Sequence, residues 1–221
     1  MKLNMKVKSI LFFLIALVMI SACNKKDNFN YPDGTVGISS IIYYPVISIS
    51  GSRLIIVQPG NTYTDPGASA TLNGKVVTYK TVGAVTTTPG VYVIQYIASN
   101  AQNYTATDWR TVVVIGADVA GNDFSGTYLR SSNGVTSTWT KTANGVYSVE
   151  NPGGAASGVG LKVIAVNYQG SSKISIPQQI SPDFGLVSSG SELYTATAPI
   201  KYQWIFHASG YGTSARTFVK Q

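Results

Sequence analysis

The chain is poor in the residues that most site chemistry needs. It has one cysteine, Cys23, and one histidine, His207, in 221 residues, with nine acidic residues against sixteen basic ones. A single cysteine excludes an intrachain disulfide and a cysteine-cluster metal site, so stability must come from packing. Charged residues make up 11% of the chain, against ~25% in ordinary globular proteins. Acidic and basic residues rarely alternate at helical spacing, which leaves amphipathic helices little support. Basic residues are scattered singly except Lys25-Lys26, and three of the formal +7 charges sit on Lys2, Lys6 and Lys8. No basic stripe of the kind nucleic acid requires is present, so nucleic acid is not an expected partner.

The same scarcity bears on catalysis. A serine-type triad would need His207 as its base, yet no Gly-x-Ser-x-Gly elbow occurs. Glycoside hydrolysis needs two carboxylates ~5–9.5 Å apart. The candidates are Asp123, Glu150, Asp183 and Glu192, and each adjoins turn residues, where a carboxylate serves as a local hydrogen-bond acceptor. Asp65 sits in Asp-Pro-Gly with no second acid nearby, while calcium takes about six or more oxygens. Gly153-Gly154 and Gly158-Val159-Gly160 have neither the helix nor the lysine of a phosphate loop. The expectation is a protein that is not an enzyme and that uses no cofactor and no metal.

What is present begins with an export signal. Lys2, Lys6 and Lys8 precede the apolar run that starts at Leu11, the order of a secretory signal. That run is roughly a dozen residues, short of the ~20 a membrane-spanning helix requires. It closes on Ile20-Ser21-Ala22-Cys23, which resembles the bacterial lipobox. The resemblance implies a signal peptide over 1–22 and Cys23 as the lipidated residue. Acyl chains there would hold the protein to a membrane, expected to be the outer membrane of a bacterial cell envelope. Residues 23–40 are polar and turn-rich and read as a flexible tether.

From residue 41 the pattern is all β. Tyrosine, threonine, serine, valine and glycine dominate, which favours strands and turns. Strands are expected over 41–49, 53–57, 75–79, 91–98 and 109–115, with a hairpin turn at Asn73-Gly74. In the fourth, Tyr92, Ile94 and Tyr96 share one face and Val91, Val93 and Ile97 the other. Both faces are apolar, as in a central strand.

Three stretches carry a family resemblance: Tyr63-Thr64-Asp65-Pro66-Gly67-Ala68, Pro89-Gly90-Val91-Tyr92-Val93-Ile94-Gln95-Tyr96, and Arg110-Thr111-Val112-Val113-Val114. Together they resemble the bacterial immunoglobulin-like module of unknown function found on secreted and surface proteins. The resemblance implies an immunoglobulin-like β-sandwich over 41–116 that acts as a spacer or interaction platform.

Residues 117–123 read as a linker, and 124–221 as a second antiparallel β-domain, a barrel or a sandwich. About eight or nine strands are expected there, with 184–188 and 192–196 as separate ones. The order Phe-Ser-Gly-Thr-Tyr, Trp-x-Lys, Gly-Val-Tyr-Ser-Val and a Gly-Gly loop resembles the C-terminal domain of some lipoproteins associated with glycan uptake. Exposed rings can stack on sugars while amides fix the hydroxyls. Trp139, in Thr-Ser-Thr-Trp-Thr-Lys, and Tyr211, in Gly-Tyr-Gly, have the most polar neighbours. They are the expected exposed anchors, with Asn151 as an amide partner. Two functions follow: a non-catalytic surface protein that binds glycan, or an assembly partner of another envelope protein with no small ligand.

Overall fold

The computed structural model describes residues 32, 35, 36 and 39–221. The signal segment 1–22, Cys23 and most of the tether lie outside the described residues. The chain divides into two compact units, Met1–Ile42 and Tyr43–Gln221. In the first, β1 (Thr35–Val36) pairs antiparallel with β2 (Ser39–Ser40). No helix among the described residues is long and apolar enough to cross a membrane.

The second unit opens with the expected sandwich. One sheet has the order β3 (Val46–Ile49), β5 (Ala68–Leu72), β6 (Lys75–Val76). The other runs β4 (Leu54–Val57), β9 (Thr105–Val114), β8 (Gly90–Ser99), β7 (Lys80–Val82). β4 joins β9 in parallel and the remaining pairs are antiparallel. Val57, Ile94, Tyr96, Val112 and Val114 form the core between the sheets, against Ile47, Ile49 and Ala68. Asn73 and Gly74 turn the β5–β6 hairpin at φ 48° and 75°, the double left-handed geometry of a type I′ turn.

Two strand expectations change. Residues 41–45 do not continue β3, and Pro45 ends the run because it cannot donate to a ladder. The expected strand 75–79 is shorter, β6 at Lys75–Val76 in the first sheet, and after a short connection β7 follows in the second. β5, which follows the Asp-Pro-Gly turn directly, was not among the expected strands.

Nine strands build the rest: β10 (Gly126–Arg130), β11 (Thr136–Ala143), β12 (Val146–Glu150), β13 (Lys162–Gln169), β14 (Lys173–Ser175), β15 (Gln179–Ser181), β16 (Gly185–Thr195), β17 (Lys201–His207) and β18 (Ala215–Lys220). They form one sheet in the order β14-β13-β12-β11-β10-β18-β17-β16-β15. The two strands expected over 184–196 are one, β16, whose register against β17 shifts between Gly190 and Leu193, where Ser191 has φ 54°. A bulge bends a strand without ending it.

The sheet curls until its two ends meet. Gln179 of β15 donates to the Ile164 carbonyl at 2.8 Å and accepts from its amide at 3.0 Å, a side chain standing in for a strand neighbour. Ser181 donates to the Lys162 carbonyl, and Asp183 accepts from the Lys162 amide. The Ser189 amide donates to the Ile176 carbonyl. Edge groups that would otherwise invite pairing with another chain are thereby covered.

Aromatic rings fill the interior. Trp139 stacks on Trp204 at 5.4 Å, and Tyr202 on Phe218 at 4.7 Å. Tyr128, Tyr147, Val149 and Phe206 complete a dry core. Burial pushes the Tyr147 hydroxyl up to about 12.

The segment 117–123 is structured: a single 3-10 turn, Ala117–Val119, ends on fully buried Val119. Val119 packs with Val113 and Ile115 of the sandwich and Val166 of β13, flanked by Leu54, Ile56 and Tyr168. The Gly116 amide donates to the Tyr168 carbonyl at 2.9 Å. The seam covers the second face of the sheet at Leu54, Ile56 and Val113, whereas Val91 and Val93 of β8, on the same apolar face, are exposed.

Candidate functional site

The most connected polar cluster lies inside the sandwich. Asp65 Oδ1 accepts from the Gly67 amide at 3.1 Å, Tyr63 Oη at 3.0 Å and Tyr96 Oη at 2.6 Å, and it pairs with Arg110. The Arg110 side chain is fully buried and also donates to the Ser50, Ser52 and Gly67 carbonyls. The three motif stretches thus meet at one carboxylate. Burial opposes the charged form, but the bonds from Tyr96, Gly67 and Tyr63 and the Arg110 charge outweigh it. The Asp65 carboxyl is held below the usual range. All four of these bonds end on Oδ1, which makes that oxygen a lock between sheets. No group of three metal-ligating side chains occurs among the described residues.

Of the other carboxylates Asp123 is engaged within its own turn, while Glu150, Asp183 and Glu192 also reach groups ten or more residues away. Asp123 accepts from the Ser125 amide at 2.8 Å, and Glu150 from the Gly160 amide at 2.9 Å. Glu192 accepts from Ser175 and Ser189. His207 stands exposed at the end of β17.

Trp139 is not the exposed ring expected: it is 2% exposed, at the centre of the barrel core. The polar neighbours that suggested exposure, Thr138 and Thr140, lie on the other face of β11. Alternation along a strand turns adjacent residues to opposite sides. Asn151 is also buried, at 1% exposed, with φ 52°. It donates to the Thr136 carbonyl at 2.9 Å and accepts from the Ala155 amide at 3.1 Å, so it shapes its loop from within.

Tyr211 is half-buried and lies beside Asn151. A Cβ on Gly158 would fall 2.3 Å from Asn151 Oδ1 and 2.9 Å from Tyr211 Oη. A Cβ on Gly153 would fall 2.0 Å from Tyr211 Cε1, so the ring rests on backbone that only glycine can present. Beneath this loop Trp204 donates to the Pro152 carbonyl at 2.8 Å. Two of the three expected residues therefore converge, while Trp139 belongs to the layer below.

The place of this cluster follows from strand direction. β12 starts at the Asn144-Gly145 turn, where Gln58 of the sandwich donates to the Asn144 carbonyl at 3.2 Å. It ends at Glu150, so the loop 151–161 lies at the opposite end of the strand. The β10–β11 and β17–β18 turns open at that same end.

Two arginines there escaped the sequence reading. Arg130 donates to the Gly154 carbonyl at 3.1 Å, and Arg216 donates to the Ser214 carbonyl at 3.1 Å and to the Tyr211 carbonyl. The Arg216 guanidinium lies 5.5 Å from the centre of the Tyr211 ring. Burial, and then the charge of Arg130, pushes Arg216 below its ordinary value. As isolated basic residues they read as solvated surface. The signal was alternation: Arg130 keeps phase with Tyr128, and Arg216 with Phe218.

Two clefts border the sandwich. One of about 540 Å³ is lined by residues including Val57, Pro59, Tyr63 and Thr86. Another, about 370 Å³, runs between Leu54 and Ile56 on one side and Ile164 and Ile180 on the other.

No curated protein matches the chain. Among solved structures, it is similar to the lipoprotein BT2262 from Bacteroides thetaiotaomicron. The two share 19% identity over 80% of this chain and 100% of that one, with a TM-score of 0.36. Residues 47–114, which carry the sandwich and its Asp65–Arg110 pair, match the family model described as bacterial surface protein, Ig-like domain.

Proposed function

We propose that this chain is a lipid-anchored, non-catalytic binding protein of the bacterial outer membrane, held through Cys23. The immunoglobulin-like domain, 41–116, serves as spacer, and the loop end of the C-terminal domain, 124–221, serves as contact surface for glycan. The bacterial-surface character of residues 47–114 supports the placement. The observation that carries the binding reading is half-buried Tyr211 resting on the Gly153–Gly158 loop, which buried Asn151 shapes from within, at the end of the barrel away from the Gln58–Asn144 contact. Rings with one half-exposed face over glycine backbone admit a sugar close to the chain. A single ring supplies roughly 1 kcal/mol, so affinity is expected in the micromolar to millimolar range. A glycan array probed with the full chain and with Tyr211→Ala tests it. Retention of a glycan by wild type and its loss in the variant support the reading; equal retention by both removes Tyr211 from the surface.

One observation favours an assembly role instead. Ile180 and Leu186 face each other across β15 and β16 at 53% and 54% exposed, beside Ile164 at 38%. A contiguous apolar strip of this kind fits a protein partner. Absence of any glycan hit, together with capture of one envelope protein that Ile180→Glu abolishes, would favour it.

A further inference from the structure

We propose that Arg130 and Arg216 form an oxyanion site at the loop end of the barrel, so that the ligand taken there carries a carboxylate or sulfate group. The inference rests on the reading of that end as the contact surface and names the chemistry it would select.

Register puts the two side chains on one face. Arg130 is the direct cross-strand partner of Phe218, and Arg216 lies two residues before Phe218 on the same strand. Phe218 is fully buried inside the barrel, so both arginines enter from the interior side as diagonal neighbours. Arg216 is only 7% exposed. The Nε atoms of both side chains are buried and have no hydrogen-bond partner.

No acid answers them. The two ion pairs among the described residues, Arg53–Asp108 and Arg110–Asp65, both lie in the sandwich. The partners of Arg130 and Arg216 are loop carbonyls, which relieve part of the donor demand and none of the charge. Arg110 is the comparison within the same chain: fully buried, it has a carboxylate, whereas buried Arg216 and half-buried Arg130 have none. A buried cation beside a half-buried one, with no anion, is costly, because desolvation and mutual repulsion act together. The guanidinium fork is suited to a planar carboxylate or a tetrahedral sulfate, and two forks on adjacent strands can hold one such group from two directions. Asn133, which donates to the Gly154 carbonyl at 3.0 Å beside Arg130, adds an amide at the rim.

Isothermal titration of the full chain with inorganic sulfate, sodium glucuronate and glucose, at constant ionic strength and low millimolar ligand, tests this. Saturable heat is expected with sulfate or glucuronate. Arg130→Gln should weaken it at least tenfold and Arg130→Lys severalfold, since lysine keeps the charge and loses the fork. Lys173→Gln, which removes one exposed charge on β14, should leave affinity unchanged. Should Arg216→Gln fail to fold, the Arg130 variants still decide. Heat with sulfate alone would make the site one for a free anion, and heat with glucuronate alone one for an acid on a sugar; both support the proposal. No saturable heat with either anion overturns it, as does equal loss in Lys173→Gln. If glucose binds while neither anion does, the oxyanion site is overturned and the glycan-binding surface stands.

Discussion

Asp65 shows how much of this fold depends on one carboxylate. It accepts from two tyrosines, an amide and an arginine, and the arginine is wholly buried. Asp65→Asn would leave the buried Arg110 charge without its counter-ion, at a cost of about 1–3 kcal/mol in unfolding free energy, the carboxylate itself being part-exposed. Chemical denaturation of wild type and variant measures it. The pH dependence has a definite sign. The folded carboxyl lies below its unfolded value, so its contribution is complete above the ordinary aspartate range, near ~4, and is lost as pH falls through the lowered folded value. The wild-type melting temperature should therefore drop below about pH 4, and the Asn variant should lose part of that slope. Trp139 makes the opposite kind of prediction. Trp139→Ala opens a hole in a packed aromatic core and should cost roughly 3–5 kcal/mol. The sequence showed threonines on both sides of Trp139 and suggested a wet ring. Strand phase against Ser137, not the neighbours, decided its side.

At the level of elements, side chains finish what the backbone ladder begins. β15 has only three residues, yet its Gln179 and Ser181 tie it to β13 across the gap where the sheet closes. Gln179→Ala should lose about 1–3 kcal/mol by leaving the Ile164 amide and carbonyl unpaired. Hydrogen exchange at the Ile164 amide should accelerate relative to the β12 amides. Glycine placement makes a second test. Gly153→Ala would put a methyl 2.0 Å from Tyr211 Cε1, so the ring must leave the loop. A fall in glycan retention with only a small stability change is expected. The hairpin at Asn73-Gly74 was legible, because a turn needing left-handed backbone announces itself in two residues. β15 and the β16 bulge were not, because short strands and single-residue irregularities are set by partners distant in sequence.

For the whole molecule, the apolar seam of Val113, Ile115, Val119 and Val166 joins sandwich and barrel through a segment whose composition read as a linker. Ala117, Ala120 and Gly121 are exposed there, and Val119 is the one side chain of 117–121 that packs. Val166→Asp should bury a charge in that seam and, if the two β-domains fold independently, split one thermal transition into two, which calorimetry would resolve. The all-β class and the immunoglobulin-like domain were readable because motifs and strand periods are local. The arginine pair and the closed sheet arise only when β10 meets β18 and β15 meets β13.

The claim on which the rest depends is anchoring at Cys23. Intact-mass spectrometry of the chain extracted from bacterial membranes tests it most directly. The account predicts a mature chain that begins at Cys23 and carries the added mass of acyl chains, and that is absent from the membrane fraction in Cys23→Ala. An unmodified chain beginning at another residue would contradict it.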